Sequence, residues 1–268
     1  MKYYSILFSI VVLFSLFSCN NSTKKDYAEE DIKTIKPLTD NHIDFITKFY
    51  PGVVEANHEV NELRDQVLEY RDNYPDAIES SRKRNKLNKI ADKYRLTDSL
   101  FTKKMTQDEF SIGMGKLLGR LDIIPDKLVM AQAIIESGWG TSKYALSINN
   151  YFGIHCYKPG CGEPPSEVEN PTFWVKSFSS IEDCVEEYIW NLNVGHAYED
   201  LRNSRMKLRK ENKVPDALVM AKGLGRYSEK GNEYITLVRS IINNYLPKDL
   251  EAFTKYYNAG EPELSPES

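Results

Sequence analysis

The sequence has no excess of positive charge. Its 35 lysines and arginines face 39 aspartates and glutamates, for a formal net charge of -4. That balance argues against a nucleic-acid binder, whose phosphate contacts require a basic surplus. The strongest local basic stretch, SRKRNKLNK at 81–89, reads as the solvated face of a helix. There is no G-x-x-x-x-G-K-[ST] loop to cradle a nucleotide. Cysteines are few, at 4, and the closest pair, Cys156 and Cys161, has no second ligand pair to complete a zinc site. No metal and no cofactor are therefore expected. What remains, 41% hydrophobic and 28% charged residues over 268 positions, fits a soluble globular domain with an appendage.

The N-terminus also lacks something. The apolar run Ile6–Phe17 is shorter than the ~20 residues that a membrane-spanning helix needs. With Lys2 before it, the run has the form of a secretory signal. Its end, Leu16-Phe17-Ser18-Cys19, resembles a bacterial lipobox, although Phe17 is bulkier than the small residue usual there. On this reading residues 1–18 are removed and Cys19 carries the lipid. The competing reading is a plain signal peptide that contains a cysteine. A lipid anchor at Cys19 implies an exported protein, expected on the outer membrane and facing the periplasm. Export also gives meaning to the CYKPGC loop, where Pro159-Gly160 favours a turn and an oxidising compartment permits a disulfide between Cys156 and Cys161. Zinc stays the alternative for that pair. Cys184 lies in an apolar helical pattern and reads as a small core residue.

Residues 19–40 are polar and charged and read as a tether. From 41 to 104 the pattern is helical and highly charged, with Val60, Leu63, Val67 and Tyr70 at helical spacing and a break near Tyr74-Pro75. This predicts a helical arm with a structural role. Apolar density rises after Phe110. PDKLVMAQAIIESG predicts a helix opened by Pro125-Asp126 and stopped by Gly138. Residues 147–178 read as loop with one short hairpin through FWVKSF. Helices resume at Ser180, where Asp183 completes a capping box, and further helices are predicted over 197–211, 215–224 and 232–246. Residues 248–268 read as a polar tail. IPDKLVMAQAI at 124 and VPDALVMAKGL at 214 echo one another, but their flanks diverge and the second has no counterpart of Glu136. Two similar helix openings explain the echo.

Glu136 is the residue out of place. It ends an apolar helical run, Ala133-Ile134-Ile135, where the helix dipole is negative, and SGWG follows. A negative helix end and a partly apolar pocket both raise a carboxyl pKa, which suits a general acid near neutral pH. The NNYFGIH segment pairs amides with aromatic faces, the combination that sugars require, although a plain turn also explains Asn149-Asn150. Tyr227 lies in a loop and is free to line a cleft, while Tyr234 opens a helix whose apolar stripe faces a core.

AQAIIESGWGTSKYA followed by NNYFGIH resembles the active-site signature of bacterial peptidoglycan glucosaminidases of glycoside hydrolase family 73. HCYKPGCG, NLNVGHAYEDLR and GRYSEKGNEYITLVRSII look like the Bax-type branch of that group, and the resemblance covers about residues 105–247. It implies a mainly α, lysozyme-like catalytic domain with a small β-lobe, here preceded by the helical arm. It also implies cleavage of the β-1,4 bond after N-acetylglucosamine in peptidoglycan. Glu136 matches the family's proton donor and Tyr227 its active-site tyrosine. Asn150, Tyr151 and Phe152 match the sugar-contacting segment, with Trp139 on the cleft wall. A second carboxylate across the cleft would come from the lobe, which offers Glu163, Glu167 and Glu169; the latter two are the candidates, and the substrate's own acetamido group is the other possibility. Two other functions compete: a lytic transglycosylase needing one acid, and a non-catalytic wall-binding lipoprotein.

Overall fold

A capped start explains why the longest helix begins where it does. The computed structural model describes residues 29–96, 100–165, 168 and 170–259. After a short helix α1 (Glu29–Ile32), α2 (Asp40–Asp72) opens with Thr39 accepting from the His42 amide while His42 Nδ1 accepts from the Thr39 amide. Past the break at Tyr74-Pro75 come α3 (Asp76–Glu79) and α4 (Ser81–Lys93). Next are α5 (Gln107–Arg120), α6 (Asp126–Ser137) and α7 (Lys143–Ile148). A lobe of three short strands follows: β1 (His155–Cys156), β2 (Gly162–Glu163) and β3 (Trp174–Lys176). The last described helices are α8 (Ile181–Val194), α9 (Glu199–Lys210), α10 (Ala217–Met220), α11 (Asn232–Asn244) and α12 (Leu250–Asn258). The result is a mainly α, lysozyme-like body with a small β-lobe.

The segment expected as an arm is instead a wall of the body. Phe45, Ile46, Phe49, Val53 and Ala56 project from α2 into the same core cluster as Leu128, Val185 and Ile189. α2 packs on α8, α6, α12 and α5 in turn. The described parts of the expected tether and tail, residues 29–40 and 248–259, attach to that body as well. Lys36 donates to the Asn244 carbonyl and Asp249 to the Asp31 carbonyl. α12 places Leu250 and Phe253 against the core, Phe253 being 1% exposed. The physical reason is an amphipathic stripe: helices this apolar on one face require a partner. Residues 1–28, including the expected signal and Cys19, lie outside the described residues.

A buried charge knot ties the far end. Asp122 is 1% exposed and receives both Arg209 Nε (3.0 Å) and Nη2 (2.7 Å), with Arg64 Nη1 at 3.4 Å. Arg205, fully buried, donates to the Asn193 side chain and to carbonyls at the C-terminal end of α5, where the helix dipole favours a cation. Burial holds the Arg205 pKa down to about 10. In the β-lobe, β3 is the central strand, antiparallel to β1 on one side and β2 on the other. FWVKSF thus supplies one strand of a three-stranded sheet rather than a whole hairpin. The Cys156–Cys161 disulfide closes the β1–β2 connection, and Cys184 is free and buried in the core.

Because α2 and α12 share the body's core, unfolding is expected to be one cooperative transition. Phe253→Ala should lower its free energy by about 3–5 kcal/mol, read from urea denaturation followed by circular dichroism. A separate early transition for α12, with the main one unmoved, would show the helix to be an appendage.

Candidate active site

The site is built on the last turn of α6. Leu128, Val129, Met130, Ala131 and Ala133 are all buried, so the helix is apolar almost all round and its axis is held on several sides. Gly138 ends it at φ 58°, Trp139 continues at φ 60° and Gly140 at φ 74°. Three successive residues in the left-handed region reverse the chain directly after Glu136. Glycine accepts that conformation readily, whereas Trp139 carries a strain of order 1 kcal/mol. At Gly140 a Cβ would also meet Phe45 Cδ2 at 2.8 Å. Ser137 staples the turn, donating to the Ala133 carbonyl (2.6 Å) and accepting from the Gly140 amide (2.8 Å). The Trp139 indole stacks on His42 of α2, centroids 3.9 Å apart, with Phe45 and Tyr245 edge-on.

Glu136 opens to solvent, yet protein surrounds its carboxyl closely enough that burial raises its pKa above the usual carboxylate range. Two influences oppose the rise without cancelling it: a hydrogen bond from Tyr234 and the charge of Lys230. Tyr234 Oη donates to Glu136 Oε1 at 2.7 Å. Gln132, one helical turn before Glu136, donates from Nε2 to Tyr234 Oη at 3.1 Å. Tyr188 of α8 donates in turn to Gln132 Oε1. Tyr227 stacks on Tyr234 with centroids 5.1 Å apart, and Tyr198 lies beside Tyr227 at 5.9 Å. Burial pushes the hydroxyl pKa values of Tyr188, Tyr198, Tyr227 and Tyr234 upward, and the nearby Glu136 charge adds to it. The arrangement is a carboxyl whose pKa burial raises, on a floor of tyrosine rings.

The structure brings Glu136 and Tyr227 together, through Tyr234. It places the other expected residues differently. Asn150 is 2% exposed and its amide is fully used: Nδ2 donates to the carbonyls of Ile154 (2.9 Å) and Lys176 (2.8 Å), and Oδ1 accepts from the amides of Phe152 and Ile154. With two donor hydrogens and two lone pairs occupied, it has nothing left for a sugar. Phe152 is buried and stacks on Tyr188 at 3.7 Å. Tyr151 is half-buried against Phe45 and Phe49 of α2. In place of the expected sugar contact, Asn150 and Phe152 pin the β-lobe to the body. Trp139, expected on the cleft wall, has its ring contacts with α2 and with Tyr245 after α11. Glu163 pairs with Lys143 at 3.3 Å. Glu167 and Glu169 lie outside the described residues. Among the described residues, no carboxylate is hydrogen-bonded or electrostatically coupled to Glu136, and no group of His, Cys, Asp or Glu is arranged to hold a metal ion.

Sequence reasoning missed Tyr198, Tyr188, Gln132 and the second role of Tyr234. A signal for Gln132 existed: it sits four residues before Glu136, hence on the same helix face, as a polar residue in an otherwise apolar run. For Tyr234 the helical period correctly indicates burial, but a buried tyrosine hydroxyl also needs a partner. Comparison with known proteins points the same way. A family model, Glucosaminidase (mannosyl-glycoprotein endo-β-N-acetylglucosaminidase), matches residues 114–247, which include Glu136 and every tyrosine around it. The chain is similar to "Protein bax" of Escherichia coli (strain K12), at 32% identity over 235 residues, covering 84% of this chain and 77% of that protein. No solved structure matches the chain significantly.

Asn150→Ala would remove the side-chain partner of the Lys176 carbonyl and of the Phe152 and Ile154 amides, while the Ile154 carbonyl keeps the Lys176 amide. The expected cost is about 2–4 kcal/mol, at 1–3 kcal/mol for each buried group left unpaired with partial relaxation. Thermal unfolding checks it. A change below about 0.5 kcal/mol would mean that the amide is not the lobe's anchor.

Proposed function

The chain belongs to the glucosaminidase family, and from that premise we propose that it hydrolyses the β-1,4 bond after N-acetylglucosamine in peptidoglycan, with Glu136 as general acid. Within the family we place it in the Bax-type branch of glycoside hydrolase family 73. The observation that carries the reading is the environment of Glu136: a carboxyl with a raised pKa, open to solvent, beside stacked tyrosines, in the segment that the family model covers. Departure of a sugar alkoxide needs a proton at the moment the bond breaks, and a carboxyl whose pKa is raised by burial is better suited to supply it than an ordinary one. Flat tyrosine faces suit the apolar faces of sugar rings, and their hydroxyls suit the ring substituents.

The role of second group falls to Glu167 or Glu169, or to the substrate's 2-acetamido oxygen. One observation favours a second reading, a lytic transglycosylase that uses Glu136 alone: the absence, among the described residues, of a carboxylate coupled to it. The N-terminal reading completes the proposal. Residues 1–18 direct export, Cys19 carries the lipid, and the protein faces peptidoglycan from the outer membrane. No helix among the described residues is long and apolar enough to cross a membrane.

Glu136→Gln is expected to cut release of soluble fragments from purified sacculi by at least ~100-fold, the lower range for loss of a general acid. Its fold should persist. Because the folded-state pKa of Glu136 is raised, its ionisation costs stability as pH climbs from the ordinary carboxylate range through the folded value. Removing the charge should leave the melting temperature at pH 7 unchanged or higher. Wild-type activity should fall on the alkaline side as the acid deprotonates. Undiminished cleavage by a folded Glu136→Gln variant would sink the assignment.

A further inference from the structure

Every hydrogen bond on the path from the core to Glu136 points in one direction. Tyr188 is 2% exposed, and its ring is clamped by the stack on Phe152. Its hydroxyl donates to Gln132 Oε1, which turns the amide so that Nε2 faces Tyr234. Gln132 is fully buried, so both ends of its amide must be bonded. Tyr234 is 4% exposed, and its ring is fixed against Tyr227. Since the Tyr234 oxygen accepts from Gln132 and from the Tyr227 hydroxyl, both its acceptor sites are filled and its single hydrogen goes to Glu136 Oε1.

We propose that Tyr234 and Gln132 are positioning residues that decide which oxygen of Glu136 carries the proton. Oε1, occupied by the Tyr234 donor, is the carbonyl-type oxygen, and Oε2 bears the proton and delivers it to the leaving oxygen. Once the proton has moved, the carboxylate keeps the Tyr234 bond in a stronger, charge-assisted form. The relay therefore holds the acid's geometry before transfer and stabilises the anion after it. This rests on the reading of Glu136 as proton donor and adds how that donor is aimed. The opposite polarity would waste the acid: Glu136 would give its proton to Tyr234, away from any substrate. The other groups facing Glu136 are the hydroxyls of Tyr188, Tyr198 and Tyr227, which burial keeps protonated, and the exposed Lys230 ammonium.

The two polarities predict opposite signs. A bond donated to the carboxylate favours its charged form, so removing the Tyr234 hydroxyl should raise the Glu136 pKa; under reversed polarity removal should lower it. The test uses the full chain with ¹³C-labelled glutamate carboxyls, the Glu136 signal being assigned by its loss in Glu136→Gln. In Tyr234→Phe, which keeps the ring, the titration should move up by about one pH unit. The alkaline limb of kcat on sacculi should move with it, and kcat should fall about tenfold with KM little changed. Tyr188→Phe, which frees the amide to turn, should give a smaller shift in the same direction, and decides the matter if Tyr234→Phe fails to fold. A purely structural tyrosine would lower the melting temperature and leave the titration in place. An unmoved or lowered titration in an active protein overturns the relay while the enzyme assignment stands. A raised titration in a chain whose wild type cleaves no glycan upholds the relay and defeats the assignment.

Discussion

The buried Gln132 amide is the constraint around which the site is organised. It has no solvent to fall back on, so α8 must bring Tyr188 to one end and α11 must bring Tyr234 to the other. Satisfying one side chain thus sets the relative placement of three helices. Glu136 benefits because it stands one turn further along α6, on the same face as Gln132. A core that was merely apolar would pack these helices just as densely, but would leave their rotation about one another less defined. The hydroxyls and the amide give them one register.

The second constraint is the turn after Glu136. Gly138, Trp139 and Gly140 all take positive φ, and only the outer two do so without steric cost. The strain at Trp139 is offset by its stack on His42 and its edge contacts with Phe45 and Tyr245. This links the acid to α2, a helix that in sequence stands apart from the chemistry. The same helix supplies Phe49, which packs against Tyr151 and Phe152 of the segment that leads into the β-lobe. α2 is therefore the back wall of the site.

What is legible in the sequence is local. The limits of α6, the Ser180 cap of α8, the apolar setting of Glu136 and the turn between Cys156 and Cys161 all follow from interactions between residues a few positions apart. What is not legible is partnership over long distances. The stripes on α2 and α12 announce that each needs a partner, but no stripe says which, so the sequence reads as an arm and a tail where two core helices stand. Asn150 shows the same limit at a single residue. An amide beside aromatics serves equally as a sugar ligand or as a lobe anchor, and only its four backbone hydrogen bonds decide between them. Tyr234 is the converse case. Its burial is readable, but its hydroxyl's partner, 98 residues earlier in the chain, is not.

With Glu136 as the proposed acid, its hydrogen-bonded chain and the tyrosine floor would amount to half of a glycosidase. The identity of the other half determines what the products look like. Water attack assisted by a lobe carboxylate or by the substrate's acetamido group leaves a free reducing end, whereas internal attack leaves an anhydro-sugar. The direct measurement is mass spectrometry of the fragments that the wild-type protein releases from sacculi, before and after borohydride reduction. The account predicts reducible N-acetylglucosamine at the newly formed ends. Fragments ending in 1,6-anhydro-N-acetylmuramic acid, or in reducible N-acetylmuramic acid, would contradict it.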